Sequence, residues 1–285
     1  MLNPFARFFG YLILISLVLF AAGQFLIPNM SAFFSDQSIA GKLLAHLFLT
    51  LLLTITYILL IRNVEQRPVY EFSRSSLVAE LTGGALIGST LIGVVILIMA
   101  LAGFYNIQSF NPAKELFHGL IVFGYGAFFE ELIFRLIVFK LLEEYLGSWI
   151  SIFISAVFFG VAHLFNDHAT LWSAIAIAIE AGVLLSMAFI FTRRIWMILG
   201  IHFTWNFMQA SVFGLPASGI DFPGLITAEL SGPPWLTGGE FGIEASPITV
   251  IFGLVIAWFL LKKAYQDDQL LVPAWRINKR TEIRY

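Results

Sequence analysis

Hydrophobic positions in this chain do not recur with the period of a helix that has one wet face; they run on. Eight mostly apolar stretches, roughly 9–27, 43–61, 84–105, 117–139, 148–165, 169–191, 195–213 and 247–261, approach the ~20 residues that carry a helix across a bilayer. A helix apolar all round is buried or sits in lipid. The pattern predicts an all-α, polytopic membrane helix bundle of about eight transmembrane helices, one integral domain over 1–285. No internal repeat or low-complexity tract interrupts it. The first run is longer than a signal-peptide core and no A-x-A site follows, so it reads as a retained span.

Charge orients the spans. With the N-terminus inside, thirteen Lys and Arg fall in inner segments, among them Arg62, Arg67, Arg193, Arg194 and Lys262, against two, Lys42 and Lys114, in outer ones. The excess of cations on the cytoplasmic side predicts both termini in the cytoplasm. Residues 214–246, rich in Gly and Pro, read as a long ordered outer loop, partly re-entrant. Composition agrees: 59% of residues are hydrophobic and 12% charged. The net charge of −2 argues against a nucleic-acid partner, and the absence of Cys excludes disulfides, thiolate metal sites and cysteine nucleophiles.

Ionisable groups inside spans are rare and each costs about 2.5–3.5 kcal/mol to insert, so those present need a reason. Glu130 and Glu131 follow eleven uncharged residues, Gly119 to Phe129. Glu131 and Arg135 are four apart, acid first, and share a helix face; they form an ion pair, or Arg135 snorkels towards the inner surface. Glu130 points about 100° away from Glu131 and is the acid left over. His202 and Asn206 share a face one turn apart and offer two hydrogen-bond donors. His163 supplies a second titratable ring from another span, and Glu180 is a further buried acid. His46 and His118 near span ends, and Asp167 and His168 in a short turn, read as structural or solvated. Three readings stay open from the residues alone: a water-activating hydrolase, a zinc site built from Glu130, His163 and His202, and a transporter or immunity-type membrane protein without catalysis.

The order and spacing of these residues resemble a known family. "EELIFR" fits E-E-x-x-x-R, "FGVAH" from Phe159 fits F-x-x-x-H, and "HFTWN" fits H-x-x-x-N, the three motifs of the CPBP proteases, which process CAAX proteins and bacteriocins and are related to the Ras-converting CAAX endopeptidase. "TRRIWMILGIHFTWNF" and "PPWLTGGEFGIEAS" are similar to its bacterial branch. The resemblance implies an eight-helix intramembrane endopeptidase with its catalytic core over 115–210, in a bacterial cell membrane, acting on a peptide or membrane-protein substrate. It assigns Glu130 and His163 to water activation and His202 and Asn206 to an oxyanion hole, with Glu131 and Arg135 as supporting residues and no cofactor. Glu180 stands outside the motifs and is read as a supporting contact. No two Asp lie within spans, and neither a G-x-S-x-G elbow nor H-E-x-x-H is present, which leaves a carboxylate as activator. Span counting places Glu130 mid-membrane, His163 near the outer end of its span and His202 in the inner half of its own. For the three to meet, helices must tilt or the fifth span must start nearer Leu142.

Overall fold

The computed structural model describes residues 4–21 and 39–276; the outer part of the expected first span and the last cations of the basic tail lie outside the described residues. The helices are α1 (Pro4–Ala21), α2 (Ile39–Leu60), α3 (Leu77–Leu101), α4 (Lys114–Glu131), α5 (Lys140–Ala162), α6 (Leu171–Ile177), α7 (Leu184–Thr192), α8 (Ile195–Asn206), the single turn α9 (Pro234–Thr237) and α10 (Pro247–Gln266). Wider π-type turns, Leu132–Phe139, Ala178–Val183 and Phe207–Val212, continue α4, join α6 to α7 and extend α8. Five helical stretches are long and apolar enough to cross a membrane. One of them, Lys114–Phe165, folds back at Gly147, whose φ of 73° lies in the left-handed region that glycine enters without steric cost. Large apolar side chains such as Leu59, Leu86, Phe153 and Trp258 face outwards, as lipid contact demands. The chain is an integral membrane helix bundle.

Two departures from the expected pattern shape the functional region. First, a small antiparallel pair forms, β1 (Tyr105–Phe110) with β2 (Ile226–Leu230), running from Tyr105↔Leu230 to Phe110↔Ile226. It clamps the 214–246 loop to the turn between α3 and α4. Second, the fourth helical rod does not stop near residue 139 but continues to the break at Gly147.

The opposite end of the bundle is a charged plane. Arg7 pairs with Glu144 at 2.5 Å, Arg67 with Glu65 at 2.6 Å and Glu71 at 2.8 Å, and Lys140 with Glu71 at 2.7 Å. Glu143 accepts from Ser148 and Arg193 at 2.5 Å each, and Arg194 reaches Glu80 from α8 to α3. These pairs tie this end of α1, α3, α5 and α8 to the segments that follow α2 and α7.

Close packing of small residues sets the position of α8. A Cβ on Gly84 would stand 2.2 Å from the Met197 carbonyl oxygen, one on Gly88 2.5 Å from that of Ile201, and one on Gly200 2.4 Å from that of Leu81. Side chains there would push α3 and α8 apart, the reason small residues mark helix contacts in membranes. Thr204 adds a hydrogen bond to the Gly200 carbonyl at 2.7 Å and one to Ala85 at 3.2 Å.

Candidate active site

The helical rise shows how the motif residues meet. Glu130 lies thirteen residues from Glu143, His163 fifteen from Ser148, Glu180 thirteen from Arg193 and Asn206 twelve from Arg194. At 1.5 Å per residue all four stand about 18–22 Å from the charged plane. The depth mismatch expected from span counting comes from ending the fourth span at residue 139, whereas the rod runs on to the break at Gly147. The fifth helix, α5, includes Leu142, but the turn at Gly147 makes its rising part start at 148. No special tilt is required.

Glu131 and Arg135 are fully buried, each 0% exposed, with Arg135 Nε 3.3 Å from Glu131 Oε2. Arg135 does not snorkel. It donates to the Ala181 carbonyl at 3.2 Å, and its guanidinium lies 4.3 Å from the centre of the Phe159 ring. The ion pair of the E-E-x-x-x-R motif thereby braces α4 against α5 and the π turn after α6. Glu131 has a further role that sequence reasoning missed: its Oε1 accepts from His202 Nδ1 at 2.7 Å. The same oxygen also accepts from an Arg135 guanidinium N–H at 3.3 Å, so one carboxylate oxygen joins the ion pair to the histidine.

His163 is held in the same manner, its Nδ1 2.7 Å from the Phe159 carbonyl four residues back. Both rings spend Nδ1 on a fixed acceptor, which defines the tautomer, and both turn Nε2 towards the remaining acid. Glu130 Oε2 lies 3.8 Å from His163 Nε2 and 3.8 Å from His202 Nε2. Glu130 is the accessible acid of the pair, its side chain 29% exposed against 0% for Glu131. The division between a free and a spent carboxylate expected from helix geometry holds. A separation of 3.8 Å is too long for a direct hydrogen bond and suits an oxygen bridging the three groups.

Asn206, one turn beyond His202, lines the same cavity with Phe159, Leu184, Ile201 and Trp205. Three of the four π-type turns among the described residues abut a polar site residue: Leu132–Phe139 follows Glu130 and Glu131, Ala178–Val183 contains Glu180, and Phe207–Val212 follows Asn206, while the fourth, Ile61–Glu65, continues α2 away from the site. Such widened turns re-aim side chains and gather at functional sites; nothing in the apolar pattern signalled them.

The 214–246 loop forms the roof. It is anchored at the hairpin end, where Asn111 Nδ2 donates to the Gly224 carbonyl at 2.8 Å and Tyr105 to that of Phe213 at 2.9 Å. It is also held to the α5–α6 turn and to α6, where Asn166 donates to the Ser218 carbonyl at 2.9 Å and Trp172 to that of Ala245 at 2.8 Å. Ser218 and Glu244 of this loop line the cavity beside His163 and His202. Glu244 accepts from Trp205 Nε1 at 3.2 Å and from the Ser218 backbone N–H. Burial pushes the Glu244 carboxyl up to about 7, against the lowering effect of those hydrogen bonds and of His202. Sequence reasoning did not single out Glu244; the available signal was an acid between Ile243 and Ala245, both buried.

As a zinc site the three donors stand wide. Bonds of about 2.0–2.1 Å at tetrahedral angles bring ligand atoms to about 3.3 Å from each other, and among the described residues no group of three or more His, Cys, Asp or Glu is spaced to hold a metal ion.

The described residues thus form a helical membrane bundle in which two histidines and a carboxamide line one cavity and a carboxylate stands beside both histidines. Residues 112–208 match the family model of the Rce1-like, type II CAAX prenyl endopeptidases. That stretch contains all three motifs, so the resemblance to the CAAX-processing proteases is shown there, and the match supports a membrane-embedded protease acting on a peptide. No curated protein matches the chain. No solved structure matches it either.

Proposed function

We propose that the protein is an intramembrane endopeptidase in which Glu130 is the general base. The observation that carries this reading is the convergence of Glu130 Oε2 with two histidine Nε2 atoms at 3.8 Å, beside an ion pair that occupies the neighbouring Glu131. Glu130 takes the proton of a water held between it and His163, and the resulting hydroxide attacks the scissile carbonyl carbon. His202, carrying a proton on Nε2 with Nδ1–H held by Glu131, and the Asn206 carboxamide donate to the oxyanion. The proton on Glu130 then passes to the departing amine. Cleavage of a peptide library by the purified protein, set beside Glu130→Ala and run with and without chelator, tests this. Activity that is lost in the variant and indifferent to chelator is expected; full loss with chelator and recovery with zinc would overturn the metal-free mechanism.

Asn206→Ala is expected to lower turnover about a hundredfold or more while binding of a non-cleavable peptide changes little, because an oxyanion donor acts on the transition state. Kinetics and melting temperature on one preparation separate this from interhelical glue, which would lower the melting temperature and spare turnover.

The membrane reading extends to orientation. The charged plane carries Arg7, Arg67, Lys140, Arg193 and Arg194, and the cation excess assigns it to the cytoplasmic face of a bacterial cell membrane, with both termini there. A site about 18–22 Å from that plane lies in the far half of a hydrocarbon core about 30 Å thick, under a roof anchored at the outer end. Substrate then enters from the extracytoplasmic side. The chain has no Cys, so single cysteines report topology cleanly. Ser231→Cys is expected to react with an impermeant maleimide on intact cells, and Arg276→Cys only after permeabilisation; the reverse pattern inverts the assignment.

A further inference from the structure

The catalytic cavity contains two acids that hydrolysis does not use. Glu180, on the π turn after α6, is 1% exposed and lines the cavity; its Oε2 has no hydrogen-bond partner. Glu244 reaches the same cavity from the loop, between Trp205 and Ser218. Neither is paired with Lys or Arg in the described residues: Arg135, the nearest buried cation in the motif helix, is committed to Glu131. Ile177, Leu184, Leu185 and Ile201 add apolar wall to the same cavity.

A buried carboxylate without a partner loses its hydration and gains nothing in return. Glu180 is such a group, and Glu244 has two neutral donors but no cation beside it, so a cation entering the cavity meets two carboxyl groups whose charge no Lys or Arg among the described residues compensates. A cavity lined by aliphatic side chains and two carboxyl groups matches one kind of group well: an aliphatic stem with a cationic head, the shape of a Lys side chain, with Arg as the bulkier alternative. His163, His202 and Asn206 line the same cavity, and Glu130 stands 3.8 Å from both rings, so a side chain occupying it belongs to a residue next to the scissile bond.

We propose that Glu180 and Glu244 form a specificity subsite for a basic side chain of the peptide substrate, adjacent to the bond that Glu130 attacks. The proposal rests on the endopeptidase reading for the location of the bond, but not for the binding of the cation. Binding of the cation draws the Glu244 carboxyl, which burial holds near 7 when the subsite is empty, towards its ionised form and releases a proton.

The experiment uses the full chain in lipid nanodiscs and an acetylated, amidated decapeptide library in which each position in turn is fixed as Lys or as its uncharged analogue norleucine. Binding is measured on Glu130→Gln and cleavage on the wild-type background. At one position Lys is expected to exceed norleucine by about a hundredfold in kcat/KM, the scale on which a site built for a polar group rejects an analogue lacking it. The same preference is expected in binding to Glu130→Gln. Adding Glu180→Gln or Glu244→Gln should abolish the preference in both measurements by bringing the Lys peptide down to the level of the norleucine peptide in the same variant. Glu180→Gln should keep or raise the melting temperature, since it removes an unpaired buried charge. Equal use of Lys and norleucine by the wild type overturns the proposal, as does a preference that survives both substitutions or a fall in melting temperature with no change in preference. Lys-selective binding without hydrolysis by the wild type retains the subsite and rejects the endopeptidase reading instead.

Discussion

Glu130→Gln is expected to abolish peptide hydrolysis, by about a thousandfold or more, in a protein that folds and melts as the wild type does. The amide has the shape of the carboxyl but cannot accept the proton of the attacking water, and loss of a positioned base is worth about 10²–10⁴ in rate. The fold should tolerate the change because nothing structural depends on this carboxylate. Glu130 is partly exposed, and its Oε2 has no hydrogen-bond partner and stands 3.8 Å from each histidine. The measurement is single-turnover cleavage with a peptide found by the library assay, alongside a thermal melt in the same lipid. Residual turnover within tenfold of wild type would remove Glu130 from the role of base, whatever the melt shows.

Glu131→Gln, one residue away, is expected to behave in the opposite order: stability falls first. The substitution leaves the Arg135 guanidinium charged and uncompensated in a fully buried position, and breaking one side of a buried pair costs about 3–5 kcal/mol. The two carboxylates are adjacent along the chain but opposite in environment, so the contrast between their melts is the sharpest stability test of this site. Activity of the folded fraction should also fall, since Glu131 holds His202 Nδ1 at 2.7 Å and a neutral acceptor holds an imidazolium less well. The double variant Glu131→Met with Arg135→Met separates the two effects. Removing both charges together recovers most of the stability, because an apolar pair of similar volume replaces a desolvated ion pair at little cost. Turnover should stay low, because His202 has lost the carboxylate that holds its ring and balances its charge. Recovery of both stability and turnover in the double variant would show that Glu131 serves only as the partner of Arg135.

The contrast between these neighbours also shows why part of the site was legible in the sequence. Helix period alone placed Glu131 and Arg135 on one face and turned Glu130 away, and the burial of the first two beside the partial exposure of the third follows that division. The period also put His202 and Asn206 on one face, and both line the cavity. These are relations within one helix, and within a helix the spacing along the chain translates directly into direction.

Apolar runs of bilayer length determined a helical membrane bundle, because no other backbone arrangement satisfies its own hydrogen bonds so locally. The motifs determined the family that residues 112–208 match. Only the tertiary structure decided that Glu131 holds His202 across 71 residues of chain, that Glu244 of the loop enters the catalytic cavity, and that β1 pins that loop by pairing with β2. Nor did hydropathy reveal that the fourth rod runs on to Gly147, which brings Glu130 to the depth of His163, or that widened turns sit beside the polar site residues. The physical reason is common to all of them. Hydropathy reports how much of a segment avoids water, and periodicity reports which residues share a face. Neither carries information about which distant segment supplies the partner. In a bundle whose helices are apolar on every side, that choice is made by the close approach of small residues and by the few buried polar groups that must find each other.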